Sequence, residues 1–370
     1  MTSVMRYVRM PIEVESPEEY GYGNIRFNLS ESSIADQSLV SFRLEVPNLT
    51  LLYGEHRGSP ALRELIAVDD ASLGLDDVLI CGGAAGALFI IATAMLGKDD
   101  NLVVVRPNYA TNLETPRAIG CDISFIDLSF EDRFALDPER IERAIKPTTK
   151  LVSITCPHNP TGTSISETSL RRMVEITERH GALLLVDETY RDLALTPPLP
   201  IAATLGKHVI SVSSLSKAFG VPGIRVGWII NTDPALQELF LAAKEQISIC
   251  GSVINEWVAE GILRQKATFL ARTVAEWRRR LDRIAEWIEG EDLLEWVRPT
   301  GGVVCFPRMV TEPPGGTDAF YRRLLQDHGT YVGPGHWFEM PDTFFRLGYA
   351  WPTAKELEGG LAGISAALRG

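Results

Sequence analysis

The sequence predicts an α/β fold with helices on both faces of a seven-stranded, mostly parallel sheet, joined to a smaller α+β unit. Short β-branched runs alternate with amphipathic stretches from about residue 60 to residue 230, the pattern of parallel strands joined by covering helices. From Glu256 the texture changes to long charged helical sequence, then to short apolar runs and Gly/Pro turns. A chain of 370 residues also exceeds what one core of roughly 150 residues fills, so two domains share it.

In chain order, strands are expected at Val78–Cys81, Leu102–Val105, Ile123–Asp127, Leu151–Thr155, Ala182–Val186, Val209–Val212 and Arg225–Ile230. Gly82-Gly83-Ala84-Ala85-Gly86 follows the first of these and opens a helix. Ser166 can cap a second helix, ETSLRRMVEITERH supplies its 3.6-residue apolar period, and Gly181 ends it. ARTVAEWRRRLDRIAEWIEG places apolar residues three and four apart over a length that suits a spine between two domains. GGVVCF, TYVGPG and FFRLGYA read as short strands, closed by a helix in TAKELEGGLAGISAALR. The expected division is a large domain over 40–275 and a small one made of 1–39 and 276–370, with the active site between them.

Hydrophobic residues at 45% and charged residues at 23% match a soluble globular protein. The formal net charge of −12, with no long Lys/Arg run, argues against a nucleic-acid partner and leaves any anionic ligand to a few placed cations. The longest apolar stretch, Ala87 to Leu96, falls short of the roughly 18 residues of a membrane span. Pro11, Glu13 and Glu15 interrupt any secretory signal, so a cytoplasmic protein is expected. Cys81, Cys121, Cys156, Cys250 and Cys305 form no CxxC and have no His at metal-ligand spacing; reduced structural thiols and no metal site are expected.

Singly, the chemical signals are weak. Asn159-Pro160-Thr161-Gly162 follows a strand end, where ligands gather in α/β sheets, but it also reads as an ordinary turn. In Ser214-Leu215-Ser216-Lys217, followed by Pro222-Gly223-Ile224-Arg225, two hydroxyls and two cations fall near one point. Such a cluster cradles a phosphate beside an amine, and lysine forms Schiff bases with aldehydes once nearby cations lower its pKa. The glycine-rich opening at Gly82–Gly86 offers backbone N–H groups and a helix dipole to the same phosphate. Asp187 ends the apolar strand ALLLV, either as a helix cap or as the partner of a buried cation.

Taken together, from about Tyr53 to Arg346, these residues resemble the fold-type-I, class I/II aminotransferases, which bind pyridoxal 5′-phosphate. The resemblance implies that Lys217 holds the cofactor as a Schiff base and later carries the substrate's α-proton, and that Asp187 keeps the pyridine nitrogen protonated. It implies that Asn159 and Tyr190 hydrogen-bond the phenolate oxygen, Tyr109 stacks on the ring, and Ala84, Ala85, Ser214 and Arg225 hold the phosphate. Many relatives have a hydroxyl at one of the two alanine positions. Tyr53, in a YG…G…LR segment, matches the tyrosine that crosses to the neighbouring subunit's phosphate, which implies a homodimer with shared active sites. Arg346 in Phe345-Arg346-Leu347-Gly348 matches the clamp on the substrate α-carboxylate, with Asn159 beside it.

The implied reaction moves an amino group between an L-amino acid and a 2-oxo acid. Pro157–Gly162, Leu215–Trp228 and Arg298–Arg308 also resemble the capreomycidine-synthase group, in which loss of a β-substituent and ring closure on an arginine derivative replace amino transfer. Both readings use Lys217, Asp187 and Arg346; the family base rate places transamination first. The N-terminal arm is short beside many class I members, more like those of amino-acid biosynthesis or specialised metabolism. Substrate side chains are expected to meet Asn28–Ser33, Cys250–Asn255 and Pro334–Phe338. There Glu31 faces either a guanidinium or solvent, and His336 and Trp337 have no assigned role. A sensor domain behind a DNA-binding module is disfavoured by the acidic charge, by the short segment ahead of the fold, and by the pairing of Lys217 with Asp187.

Overall fold

All seven expected strands form one sheet in the computed structural model, which describes residues 5–195 and 197–370. They are β1 (Val78–Cys81), β2 (Asn101–Arg106), β3 (Asp122–Asp127), β4 (Thr149–Thr155), β5 (Leu183–Asp187), β6 (Val209–Ser214) and β7 (Gly227–Ile230). Their order across the sheet is β1-β7-β6-β5-β4-β2-β3. Every pairing is parallel except those of β7, which runs antiparallel to β6 and β1. The link from β6 to β7 holds only a short 3₁₀ turn at Pro222–Ile224, without the helix a parallel crossover requires, so the chain folds straight back. Arg225, expected as the first residue of β7, precedes the strand instead, at φ 50° just after that turn.

Both faces of the sheet are covered, which is why the strands read as continuous apolar runs. Leu184 and Val186 pack with Leu170, Met173 and Ile176 on one face, whereas Leu185 packs with Leu88 and Ile91 on the other. The two covering helices are α1 (Gly83–Met95) and α2 (Glu167–Arg179). The Ser166 hydroxyl accepts from the Ser169 N–H at 3.0 Å to cap α2, and Gly181 follows the helix at φ 64°. Burying each large aliphatic side chain contributes about 1.5–3 kcal/mol, so the central strand β5 is firmly fixed in the layer stack.

Helix α3 (Lys266–Glu289) runs through the expected division at 275/276. Beyond it, Val304–Cys305, Gly333–Pro334 and Phe345–Gly348 form a three-stranded antiparallel sheet, and α4 (Ala354–Arg369) closes the chain behind a Thr353–Glu356 capping box. The N-terminal segment joins this layer through Phe27–Asn28, which pairs in parallel with Thr330–Tyr331. Among the described residues, no helix is long and apolar enough to cross a membrane, and no group of three His, Cys, Asp or Glu side chains could hold a metal ion.

Two glycines let the start of α1 sit against β7. A Cβ on Gly227 would lie 2.5 Å from the Gly83 carbonyl carbon and 2.7 Å from the Ala84 nitrogen. A Cβ on Gly83, itself at φ 76°, would lie 2.6 Å from an Arg225 guanidinium nitrogen. The Gly227 neighbours are backbone atoms, so Gly227→Ala is expected to cost about 1–3 kcal/mol and to lower the denaturation midpoint in urea. An unchanged midpoint would show that the helix start is free to shift.

Candidate active site

The carboxyl ends of the parallel strands open on one side of the sheet, where doubly wound folds bind ligands. Thr155 ends β4, Asp187 ends β5 and Ser214 ends β6, while Tyr109 follows β2 and α1 begins directly after β1. A cavity of about 530 Å³ at these ends is lined by Ala84, Ala85, Tyr109, Asn159, Asp187, Tyr190, Ser214, Lys217 and Arg225. A second cavity of about 260 Å³ shares Tyr109 and Lys217 with the first and adds Arg346. Of the eleven residues given a catalytic, cofactor or α-carboxylate role from sequence, Tyr53 alone lies outside both, 79% exposed in the single chain.

Each side chain is held by local structure. The Lys217 amine donates to the Ser32 hydroxyl at 3.0 Å. Burial lowers its pKa and the Arg346 and Arg225 charges act in the same direction, while Glu31 and Glu18 oppose them; a larger share of the amine is therefore neutral and nucleophilic. Asp187 accepts from the Thr189 hydroxyl at 2.5 Å and from the Thr189 N–H at 3.1 Å. Burial raises its pKa in spite of those bonds and of the nearby lysine, so the ionised carboxylate has a standing demand for a cation.

The Tyr190 hydroxyl is buried without a hydrogen-bond partner, and burial pushes its pKa up to about 12. Arg346 is 5% exposed and donates to Asn159 Oδ1 at 3.1 Å and to the Ser30 carbonyl at 2.7 Å, which leaves its Nε unpartnered. Buried polar atoms without partners are costly, and these two border the cavities where a ligand would satisfy them.

Three contributors were not singled out from sequence: Ser32 on the lysine, Ser30 on the arginine and Thr189 on the aspartate. Ser30 and Ser32 fall within the flagged stretch Asn28–Ser33, but nothing local signals their partners. No residue of the stretch Cys250–Asn255 lines either cavity of the single chain. Just beyond it, Glu256 turns to the N-terminal side of the chain and accepts from the Ser59 N–H at 2.7 Å. Trp337 lines the second cavity, whereas His336 does not.

His336 instead joins two elements, with Nε2 2.9 Å from Glu15 Oε2 and Nδ1 2.8 Å from Asp342 Oδ1. Trp337 Nε1 donates to the same Glu15 oxygen at 2.7 Å. Burial works against a charged His336, but Glu15 and Asp342 outweigh it and hold its pKa above the ordinary value. A raised folded pKa gives stability that is full below the unfolded value of about 6.5 and is lost as pH rises through the folded one. The melting-temperature difference between the native protein and His336→Gln is thus expected to be largest near about pH 6 and to shrink toward about pH 9. A difference independent of pH would remove the charged latch.

A flat aldehyde carrying a phosphate uses these features together: a desolvated amine, a buried carboxylate, an orphaned phenol, and a helix start brought by glycines against an arginine. This fold and crevice define the class of fold-type-I pyridoxal-phosphate enzymes. A family model described as aminotransferase class I and II matches residues 41–364, and the chain belongs to that family.

The chain is 29% identical over 365 residues to capreomycidine synthase of Streptomyces vinaceus, covering 98% of this chain and 91% of that protein. It is 28% identical over 301 residues to arginine–pyruvate transaminase AruH of Pseudomonas aeruginosa, covering 77% of this chain and 74% of that protein. A crystal structure of a pyridoxal-phosphate-dependent aminotransferase from Streptococcus suis superimposes with a TM-score of 0.90 at 26% identity, covering 98% of each chain. Pyridoxal phosphate is the cofactor, and aminotransferases of this fold act on amino and keto acids.

Proposed function

We propose that the protein is an aminotransferase that moves an amino group between an L-amino acid and a 2-oxo acid. The observation that carries its Cα chemistry is that Lys217 and Arg346, a largely buried amine and a buried guanidinium, face one cavity; the base rate of the family, aminotransferase class I and II, places amino transfer first. Arg346 binds the substrate α-carboxylate through a bidentate pair, which presents Cα to the amine of Lys217. Lys217 attaches the cofactor and, once released by substrate, takes the Cα proton. The bound pyridoxal phosphate supplies an electron sink for the charge left at Cα.

Asp187 is the anionic partner of the ring nitrogen, and Asn159 and Tyr190 donate toward the ring oxygen. Tyr109 lies against the ring face, and the N–H groups of Ala84 and Ala85, with Ser214 and Arg225, hold the phosphate. Tyr53 reaches the site of a second copy in a homodimer, an assignment its exposure leaves open to it. Segments 1–39 and 276–370 act as the unit that closes over substrate and excludes water.

A second reading, loss of a β-substituent with ring closure on an arginine derivative, uses the same residues up to removal of the Cα proton. The similarity to capreomycidine synthase over 98% of this chain favours it. The test is a half-reaction: the holoenzyme is mixed with single amino acids and no keto acid. Stoichiometric release of the 2-oxo acid, with the amino group retained on the cofactor, is the expected result. Catalytic loss of water, ammonia or another β-group would instead establish the second reading.

A further inference from the structure

The substrate side of the crevice is acidic. Glu13, Glu18, Glu19 and Glu31 line the cavity that Lys217 and Arg346 share, and Glu18 and Glu31 line the larger one as well. Glu31 is not on a free loop. A Cβ on Gly348 would overlap the Glu31 carbonyl oxygen at 1.7 Å, and the Gly348 N–H donates to the Leu29 carbonyl at 2.7 Å, so residues 29–31 lie flat on the strand that carries Arg346. Asn28 Oδ1 accepts from the Ser30 hydroxyl at 2.8 Å and fixes the turn.

The Glu31 carboxylate accepts from the Tyr22 hydroxyl at 3.1 Å and from Asn28 Nδ2 at 3.4 Å. Among the described residues, neither Glu31 nor Glu18 has an ion-pair partner. The Lys and Arg residues lining the two cavities are Lys217, Arg225 and Arg346. In the proposed reading all three are engaged, by cofactor, phosphate and α-carboxylate, which leaves no cation for a carboxylate at the far end of a substrate.

The unpartnered Nε of buried Arg346 and the unpartnered Tyr190 hydroxyl mark this crevice as a ligand site independently of the carboxylates. Tyr22 stacks on Trp351, with ring centres 6.1 Å apart and planes at 14°, so a flat aromatic surface stands beside Glu31. A guanidinium stacks on such a surface and donates to a carboxylate in a planar fork; an ammonium offers only a point charge.

We propose that the substrate is an amino acid with a cationic side chain, a guanidinium first, whose far end is held by Glu31 and Glu18 while Arg346 holds its α-carboxylate. The inference rests on the Cα chemistry proposed above. Its test compares L-arginine, the neutral isostere L-citrulline and L-glutamate as donors for the holoenzyme, and repeats the comparison with Glu31→Gln.

Arginine is expected to exceed citrulline and glutamate in kcat/KM. Glu31→Gln should lower the arginine value by about 10- to 100-fold, mainly through KM, and leave citrulline within about threefold. Citrulline activity then doubles as the check that the variant is folded. Equal use of arginine and citrulline, preference for glutamate, or an equal fall on arginine and citrulline in Glu31→Gln would overturn the assignment of side-chain charge and leave the Cα chemistry standing. Reaction with no amino acid at all would remove both.

Discussion

Lys217→Ala is expected to abolish turnover while leaving the fold intact. The backbone contact at this position, from the Ile34 N–H to the Lys217 carbonyl at 3.2 Å, survives the substitution, and the side chain lost lies against a cavity rather than in a packed core. The proposed acid–base role alone would be worth about 100- to 10,000-fold in rate, and loss of the proposed covalent cofactor attachment would add to it. Two measurements separate these effects. After borohydride reduction, mass spectrometry of the native protein should find the cofactor on the peptide containing Lys217 and find none on the variant. Single-turnover rates on an amino acid should fall with it. Unaltered turnover in a variant with native circular dichroism would assign the amine's work to another group.

The loss should not be mimicked by removing the nearest polar neighbour. Ser32 accepts the lysine's hydrogen bond, but the shift that makes the amine more nucleophilic comes first from burial and then from Arg346 and Arg225. Those causes depend on how the sheet ends, the N-terminal segment and the strand Phe345–Gly348 come together. They explain why one part of the site is legible in the sequence and another is not.

What the strands carry at their ends was legible. A run of buried aliphatic residues fixes where a strand stops, and the crevice lies at the stop. Asp187 and Ser214 are the last residues of β5 and β6, one and two residues beyond the strand ends that the hydrophobic pattern predicts at Val186 and Val212. Arg225 lines the cavity with the other predicted residues but was assigned to the wrong element. A residue beyond a Pro-Gly turn looks like a strand start, yet the turn leaves it at φ 50° outside the ladder, beside Gly83.

What crosses between distant segments was not legible. Ser30 and Ser32 reach Arg346 and Lys217 because residues 29–31 lie against Gly348, a contact no local pattern encodes. Glu18 and Tyr22 belong to short helical turns whose sequence gives no sign that they border a cavity. His336 was ambiguous for the same reason, since its partner Glu15 lies at the opposite end of the chain. The stretch Cys250–Asn255, expected to meet substrate, lines neither cavity of the single chain.

Asp187→Asn separates charge from shape at the other end of the proposed cofactor site. The amide is nearly isosteric, and its oxygen can keep both Thr189 hydrogen bonds, which reach one oxygen of the native carboxylate. The negative charge is what disappears. In the native protein burial raises the pKa of Asp187, so an ionised carboxylate here is costly unless a cation lies beside it, and a protonated ring nitrogen would be that cation. Without the charge the ring nitrogen loses its reason to stay protonated and the electron sink weakens. The variant should therefore still bind the cofactor through Lys217 and the phosphate contacts, yet lose about 100- to 1,000-fold in kcat, the usual cost of removing one preorganised electrostatic contact. Cofactor occupancy after dialysis and kcat for the best amino-acid donor, measured on the same preparation, decide the matter. Full occupancy with a normal rate would show that Asp187 holds shape alone and that the ring nitrogen is served by another group.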